Sequence, residues 1–440
     1  MRFSDTAGFP RGSADVNRFS FFNAVSFQIV LGAPVILFAK SLGASSLVLG
    51  TIAALTPLLN ILQLVAARFL HRTGYKRFVL AGWGARTFFT LGIAVLPLWP
   101  GLAPETRLLL LLVSLFCFNL LRGFTAGAWL PWLTALVPEP ARGRFLARDQ
   151  AFMHVGCLVA MMVCAQVMGG KAAAGQYAAV FTVGLLSALA SLWFIRRIPE
   201  AHSPEELKRS GAAVPWGAIL RHPPFARLLW FNTVFAAVIG SLGVFSVEFL
   251  VVREKFGDGT ILLLGGLSFV GALAGLLWTG PRLDATGSKP WLRAALALLA
   301  AVVAGWLMLA VTLVPAWPWW VGMLNFLGGL GGAVFGVANT RIVMGSVPEM
   351  GRNHFFALFT VITSLGLGGA PILWGVFLDA LGALDATAFG LSVNRYSVYF
   401  FVLCLLALGN RRMAAGLHEG AKIGDVPPPS AEPRPVVPVE

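Results

Sequence analysis

The chain has 440 residues, of which 57% are hydrophobic and only 12% charged, with a mean hydropathy of +0.79. Soluble domains carry roughly a quarter charged residues, so this composition excludes a water-soluble fold. The net charge of +14 does not point to nucleic acid, because the basic residues occupy short breaks between apolar runs instead of one patch.

Residues 1–17 are polar and lack the short apolar core and cleavage site of a secretory signal. Twelve apolar runs follow, each about as long as a helix that crosses hydrocarbon. They cover about 18–39, 45–68, 77–98, 108–134, 149–168, 176–195, 226–251, 260–280, 290–313, 317–341, 354–378 and 394–410. A β-barrel would alternate apolar and polar residues in segments of about ten, and these runs do not. The longest polar break, 196–225, divides the spans into bundles at 18–195 and 226–412. The Pro-rich tail 413–440 is expected to be disordered. The fold class is therefore an all-α polytopic membrane protein of 12 transmembrane helices in two six-helix bundles. Cys117, Cys157, Cys164 and Cys404 all fall within apolar runs and read as small buried hydrophobes.

Lys and Arg set the orientation. Of 33, 25 lie on the side that holds both termini and six on the other, with Arg86 and Arg122 inside spans. Both termini are thus expected in the cytoplasm of a cell membrane, the inner membrane if the cell is bacterial.

The two bundles repeat one another. VPEPARGRF (137–145) matches VPEMGRNHF (347–355), placing Glu139 and Arg142 opposite Glu349 and Arg352. Arg18-x-x-x-Phe22-Asn23 matches Arg227-x-x-x-Phe231-Asn232, and ARFLHRTGYKR (67–77) matches GPRLDATGSKP (280–290). Three collinear landmarks at offsets of 209–213 imply homologous halves. Halves with an even number of spans are parallel repeats, with a substrate site between them.

The segment Gly280-x-x-x-Asp284-x-x-Gly287-x-Lys289 resembles the loop motif of the major facilitator superfamily. The first-half copy keeps Arg72, Gly74 and Lys76 but has His71 where the motif has Asp. Arg122 with Gly127 resembles the family's span-4 arginine motif, with Thr125 in place of the usual Gln. The resemblance implies a secondary transporter that works by alternating access. Physically, glycines permit tight turns, and a carboxylate can latch onto cations or a helix N-terminus. The latch set is His71, Arg72, Gly74, Lys76, Gly280, Asp284, Gly287 and Lys289, with Glu139, Arg142, Glu349 and Arg352. His71 is no permanent anion, so the two halves are expected to latch unequally.

Polar groups deep in lipid normally face the bundle interior. Candidate substrate contacts are Asn23, Gln28, Asn60, Gln63, Arg86, Asn119, Arg122, Asn232 and Asn325. Arg86 lies about nine residues into its span, roughly 14 Å at 1.5 Å per residue, near the midplane. Either amides and carbonyls satisfy the two arginines, or an anionic substrate does; for Arg122 the resemblance equally implies a structural or gating role in conformational coupling. Proton coupling requires a titratable group in the cavity; the candidates are Asp149, His154, Glu248 and His354, with Glu248 equally suited to pairing with Arg253 at the interface. GGLGGAVFG (328–336) and GLGGAPILWG (366–375) suit either gating or tight packing.

No nucleotide loop, metal-ligand spacing or nucleophile–base pair is present, so an enzyme and a cofactor are not expected. The expected partners are a small-molecule substrate and the lipid bilayer, with no nucleic acid and a monomeric state. Export of an amphipathic compound competes with transport of a small organic anion, and a receptor without flux is the reading from another class.

Overall fold

The computed structural model describes residues 12–65, 73–200, 223–346 and 352–417. Among them, twelve helices are long and apolar enough to cross a membrane. Spans 1–6 are Ser13–Ser41, Ser46–Val65, Tyr75–Leu98, Pro104–Leu133, Arg144–Met168 and Ala174–Ile195. Spans 7–12 are Phe225–Val252, Asp258–Thr279, Ser288–Ala310, Pro318–Met344, Leu358–Ala380 and Arg395–Gly416. Helices are the form in which a lipid-embedded backbone satisfies its own N–H and C=O groups. The start of span 1 and the finish of span 12 lie at one end of the bundle, the near end; the far end carries the 1–2, 5–6, 7–8 and 11–12 loops.

Several stretches read as loops are helical. Val137 is extended and Pro138 turns the chain, and the helix of span 5 then begins at Glu139. Pro140 fits that first turn because its missing N–H has no intrahelical acceptor there. The loop motif puts a turn at Gly280, yet the Asp258–Thr286 helix runs straight through it. The turn falls instead at Gly287, whose φ is +80°, and its first-half counterpart Gly74 has φ +75°. That backbone region favours glycine. The helix of span 12 continues to Met413, and Ala414 and Leu417 are buried beneath it.

Span 1 is broken. Helix Ser13–Leu31 ends at Gly32, and helix Ala33–Ser41 resumes with Pro34 in its first turn. Span 2 tightens past Pro57 into a 3₁₀ turn over Asn60–Leu62. Span 4 closes one helix at Ala126 and starts another at Trp129.

The halves meet mainly along spans 2 and 11 and along spans 5 and 8. Gly50 lies directly against the Pro371 carbonyl, and Gly375 faces Ser46 and Leu47 across the same seam. Span 10 packs on span 8 the same way, Gly271 against the Phe326 carbonyl and Gly329 against that of Ser268. Both glycine-rich runs are thus tight packing seams in this conformer, and Pro371 sits inside an unbroken Arg352–Ala380 helix.

The buried apolar side chains divide unevenly along the membrane normal. Toward the far end, one continuous cluster joins both halves, from Ile29 and Phe38 to Phe249 and Phe400. Toward the near end, the described residues form two separate clusters. One surrounds Trp83 and Trp132 in the first half, and the other surrounds Phe231 and Phe335 in the second.

A short hairpin, Asp385–Ala388 with Leu391–Asn394, caps the 11–12 connection. Phe389 and Gly390 form its two-residue turn, both at positive φ, which suits the twist of paired strands. Arg253 holds Asp385 with two hydrogen bonds, of 2.9 and 3.2 Å, and keeps its carboxyl below the usual range. A depressed carboxylate stabilises the tie above its unfolded value, about 3.9, and loses this as pH falls through the folded value. The Ser392 amide, which donates to the Val311 carbonyl, should therefore exchange faster, relative to its intrinsic rate, below about pH 4. Asp385→Asn should abolish that dependence; an identical profile in both proteins contradicts the tie.

Candidate functional site

A cavity of about 320 Å³ lies between the halves, lined by Gln28 and Gly32 of span 1, Ser246 of span 7, Phe269 of span 8, Trp306 of span 9 and Asn325 of span 10. The break in span 1 forms part of its wall. A Cβ at Gly32 would strike the Gln28 carbonyl and amide, so a larger residue there would push into the cavity. Discontinuous helices bordering a midplane cavity are a recurrent way to present polar backbone to a solute. The sequence signal for this break is Gly32-Ala33-Pro34, a pair of helix breakers inside an apolar run that hydropathy alone passes over.

Nearer the near end, along span 1, two arginines come together. Arg86 is 4% exposed and donates to the Asn23 side-chain oxygen, which also accepts from the Trp83 indole at 3.1 Å. Its guanidinium lies 4.5 Å from the Trp83 ring centre and 5.3 Å from that of Phe118. Arg122 donates to the Asn60 side-chain oxygen at 2.9 Å and sits 4.8 Å over the Phe27 ring. Phe118, beside Arg86, lies one helical turn from Arg122, and Asn23, which holds Arg86, lies one turn from Phe27, which carries Arg122. Among the described residues, no carboxylate pairs with either arginine.

The far end is closed by bonds between the halves. Glu248, 1% exposed, accepts from Lys40 at 2.9 Å and Ser46 at 3.0 Å across the halves, and from Arg395 of its own half at 3.2 Å. It does not pair with Arg253, which turns to Asp385. Five residues apart on a helix point about 140° away from each other, so the expected pair would have had to bridge two faces. Asp379 of span 11 accepts from the Ser46 and Leu47 amides, at 3.0 and 2.9 Å, across the halves. That places a carboxylate on the positive N-terminus of span 2. Asp258 accepts from the Ala172 amide at 2.9 Å and the Tyr177 hydroxyl at 3.1 Å. The amides of Asp258 and Gly259 in turn donate to Gly170 and Gly169, each at 2.7 Å. In the sequence, Lys40 and Arg395 are only sparse far-side charges, and neither Asp258 nor Asp379 stands out. Each lies at a helix end beside a short loop, the one local signal they carry.

The remaining candidates scatter. Gln28 donates to the Met161 sulfur at 3.3 Å, and Asn325 to its own helix at Val321. Asn119 is fully buried, accepting from Thr56 and donating to the Leu115 carbonyl. Asn232 is tied to Leu228 and accepts from Asn339 at 2.7 Å. Gln63 packs beside Gly127. Asp149 is buried and accepts from Ser20, while the His154 ring lies 6.2 Å from Phe269 across the halves. In the latch set, the Lys76 amide donates to Glu200 at 3.1 Å, and Lys289 is half-buried. His71, Arg72 and Glu349 lie outside the described residues, as do the side chains of Glu139, Arg142, Asp284, Arg352 and His354.

No curated protein matches the chain. Among solved structures, a point mutant of the nucleoside transporter NupG superimposes with a TM-score of 0.70 at 12% identity, covering 92% of this chain and 99% of that one. The inward-open xylose transporter XylE from E. coli gives 0.67 at 13%, covering 93% and 96%. A bacterial homologue of the iron transporter ferroportin, inward-facing, gives 0.66 at 14%, covering 92% and 98%. At such identities the likeness shows the fold alone. The sequence model of the Major Facilitator Superfamily matches residues 19–326, and, in keeping with the twelve spans and the superposed transporters, the chain belongs to that superfamily and is a multi-pass membrane transporter, not an enzyme.

Proposed function

We propose that this protein is a secondary active transporter that moves a small organic solute by alternating access, and that the present conformer faces the cytoplasm. One observation carries the reading: a single apolar cluster and the Glu248, Asp258 and Asp379 bonds join the halves at the far end, while separate clusters face each other at the near end. The excess of Lys and Arg at the near end supports placing the cytoplasm there. Rocking of the halves about the central cavity would exchange which end is joined.

Arg86 and Arg122, which meet no carboxylate among the described residues, favour an anionic solute. Phe269 and Trp306 in the cavity wall favour the second reading, export of an amphipathic compound. For coupling we choose Asp149, a buried carboxylate held by a neutral hydroxyl, over Glu248, whose charge two cations already offset.

Proteoliposomes test the proposal. Radiolabelled short organic acids, a nucleoside, a pentose and a lipophilic cation are offered with and without an inward-acid pH gradient. Saturable flux of one class is expected, with a gradient effect that Asp149→Asn removes. Binding of a compound with no flux of any would favour a receptor and refute transport.

A further inference from the structure

Among the described residues, Arg86 and Arg122 bring two positive charges to one place with no carboxylate to meet them. A guanidinium has five N–H donors, and each of these gives one to a neutral amide oxygen, that of Asn23 or Asn60. The aromatic neighbours Trp83, Phe118 and Phe27 hold the groups by their ring faces. Such contacts fix orientation without neutralising charge. For packing alone, two cations within a membrane are a costly choice.

Four spans converge to build this arrangement. Asn23 and Phe27 come from span 1, Asn60 from the 3₁₀ turn of span 2, Arg86 from span 3 and Arg122 from span 4. On span 1 these residues stand between the near end and Gln28, where the cavity wall begins. Arg86 is nearly sealed, whereas Arg122 retains partial exposure. The closest carboxylate along span 1 is that of Asp149, which is occupied by Ser20 one turn from Asn23.

We propose that Arg86 and Arg122 form a subsite for the oxyanion group, carboxylate or phosphoryl, of an organic substrate that enters from the near end. Planar forks that can grip an oxyanion in pairs suit this chemistry better than ammonium groups. Asn23 and Asn60 each take one donor of a fork. The anion offsets the two charges. The inference rests on the reading of the chain as a transporter, and it names the substrate class.

The test uses purified full-length protein in a thermal-shift series. The probes are inorganic phosphate, short mono- and dicarboxylates, three-carbon and six-carbon phosphate esters, and the uncharged parents of those esters. Stabilisation by at least one oxyanion compound, and not by its uncharged parent, is expected. Arg86→Gln and Arg122→Gln should each weaken that binding at least tenfold, and Arg122→Lys less than Arg122→Gln. The melting point without probe shows whether each variant is folded; if Arg86→Gln is not, the partly exposed Arg122 decides. No stabilisation by any anion, or equal binding by wild type and Arg122→Gln, overturns the subsite. Uptake of an uncharged solute that ignores the anions would overturn the subsite and leave transport standing. Arginine-dependent anion binding without flux would do the reverse.

Discussion

Replacing Glu248 with Gln is expected to release the far end. The carboxylate is fully enclosed and offsets Lys40 and Arg395, whose side chains are each 20% exposed. Removing one partner of a buried pair leaves the others charged and unmatched, and can cost 3–5 kcal/mol where burial is complete. Water reaching the two cations lowers that, and the amide keeps one acceptor, so about 2 kcal/mol is expected. That corresponds to a shift of roughly 30-fold toward conformers open at the far end. The assay places a cysteine at Ser268, beside the cavity, in a background without the four native cysteines. A membrane-impermeant thiol reagent is then confined to the far-end side. The labelling rate should rise up to about 30-fold. An unchanged rate in a folded variant would show that Glu248 does not hold the gate.

Gly50→Ala is expected to act in the same direction by a different cause. Its Cβ would strike the Pro371 carbonyl, which is backbone and cannot rotate away. Spans 2 and 11 must then separate, and overpacking of this kind costs about 1–3 kcal/mol. Far-side labelling should increase, and transport should fall at least fivefold because the far-closed conformer becomes hard to reach. Gly369→Ala, on the facing helix but with open space around the added methyl, is the control and should leave both unchanged. Equal behaviour of the two variants would mean that the seam is not what limits closure.

The sequence made the architecture readable because bilayer thickness imposes one helix length on every span, and because the halves kept landmarks such as VPExxRxxF. Of the two motif glycines that permit a turn, Gly287 takes it, while Gly280 lies inside the helix that runs on to Thr286. Arg86 and Arg122 were legible as charges where charge is expensive, and Asn23 and Asn60 as polar groups within apolar runs. What stayed hidden was pairing across the halves. Glu248 meets Lys40 from 208 residues away, and Asp379 meets Ser46 from 333. Which face of a long helix turns toward which neighbour is decided by tertiary packing, and a local pattern does not encode it. The same holds for Asn119, whose depth suggested a cavity group but whose side chain is spent on Thr56 and its own helix. The Arg253 alternative for Glu248 rests on proximity in sequence, and helical geometry sets the two on different faces.

The central claim is that the halves rock, so that opening at one end accompanies closing at the other. Its most direct measurement is a pair of spin-label distances, taken in the wild-type background and in Glu248→Gln. One pair joins Lys171 to Ala383 at the far end, and the other joins Arg196 to Arg412 at the near end; all four positions are exposed. The wild type should give a short, narrow far-end distance. In Glu248→Gln that distance should lengthen while the near-end distance shortens in the same proportion of molecules. A far-end distance that lengthens with the near-end pair unmoved would contradict rocking.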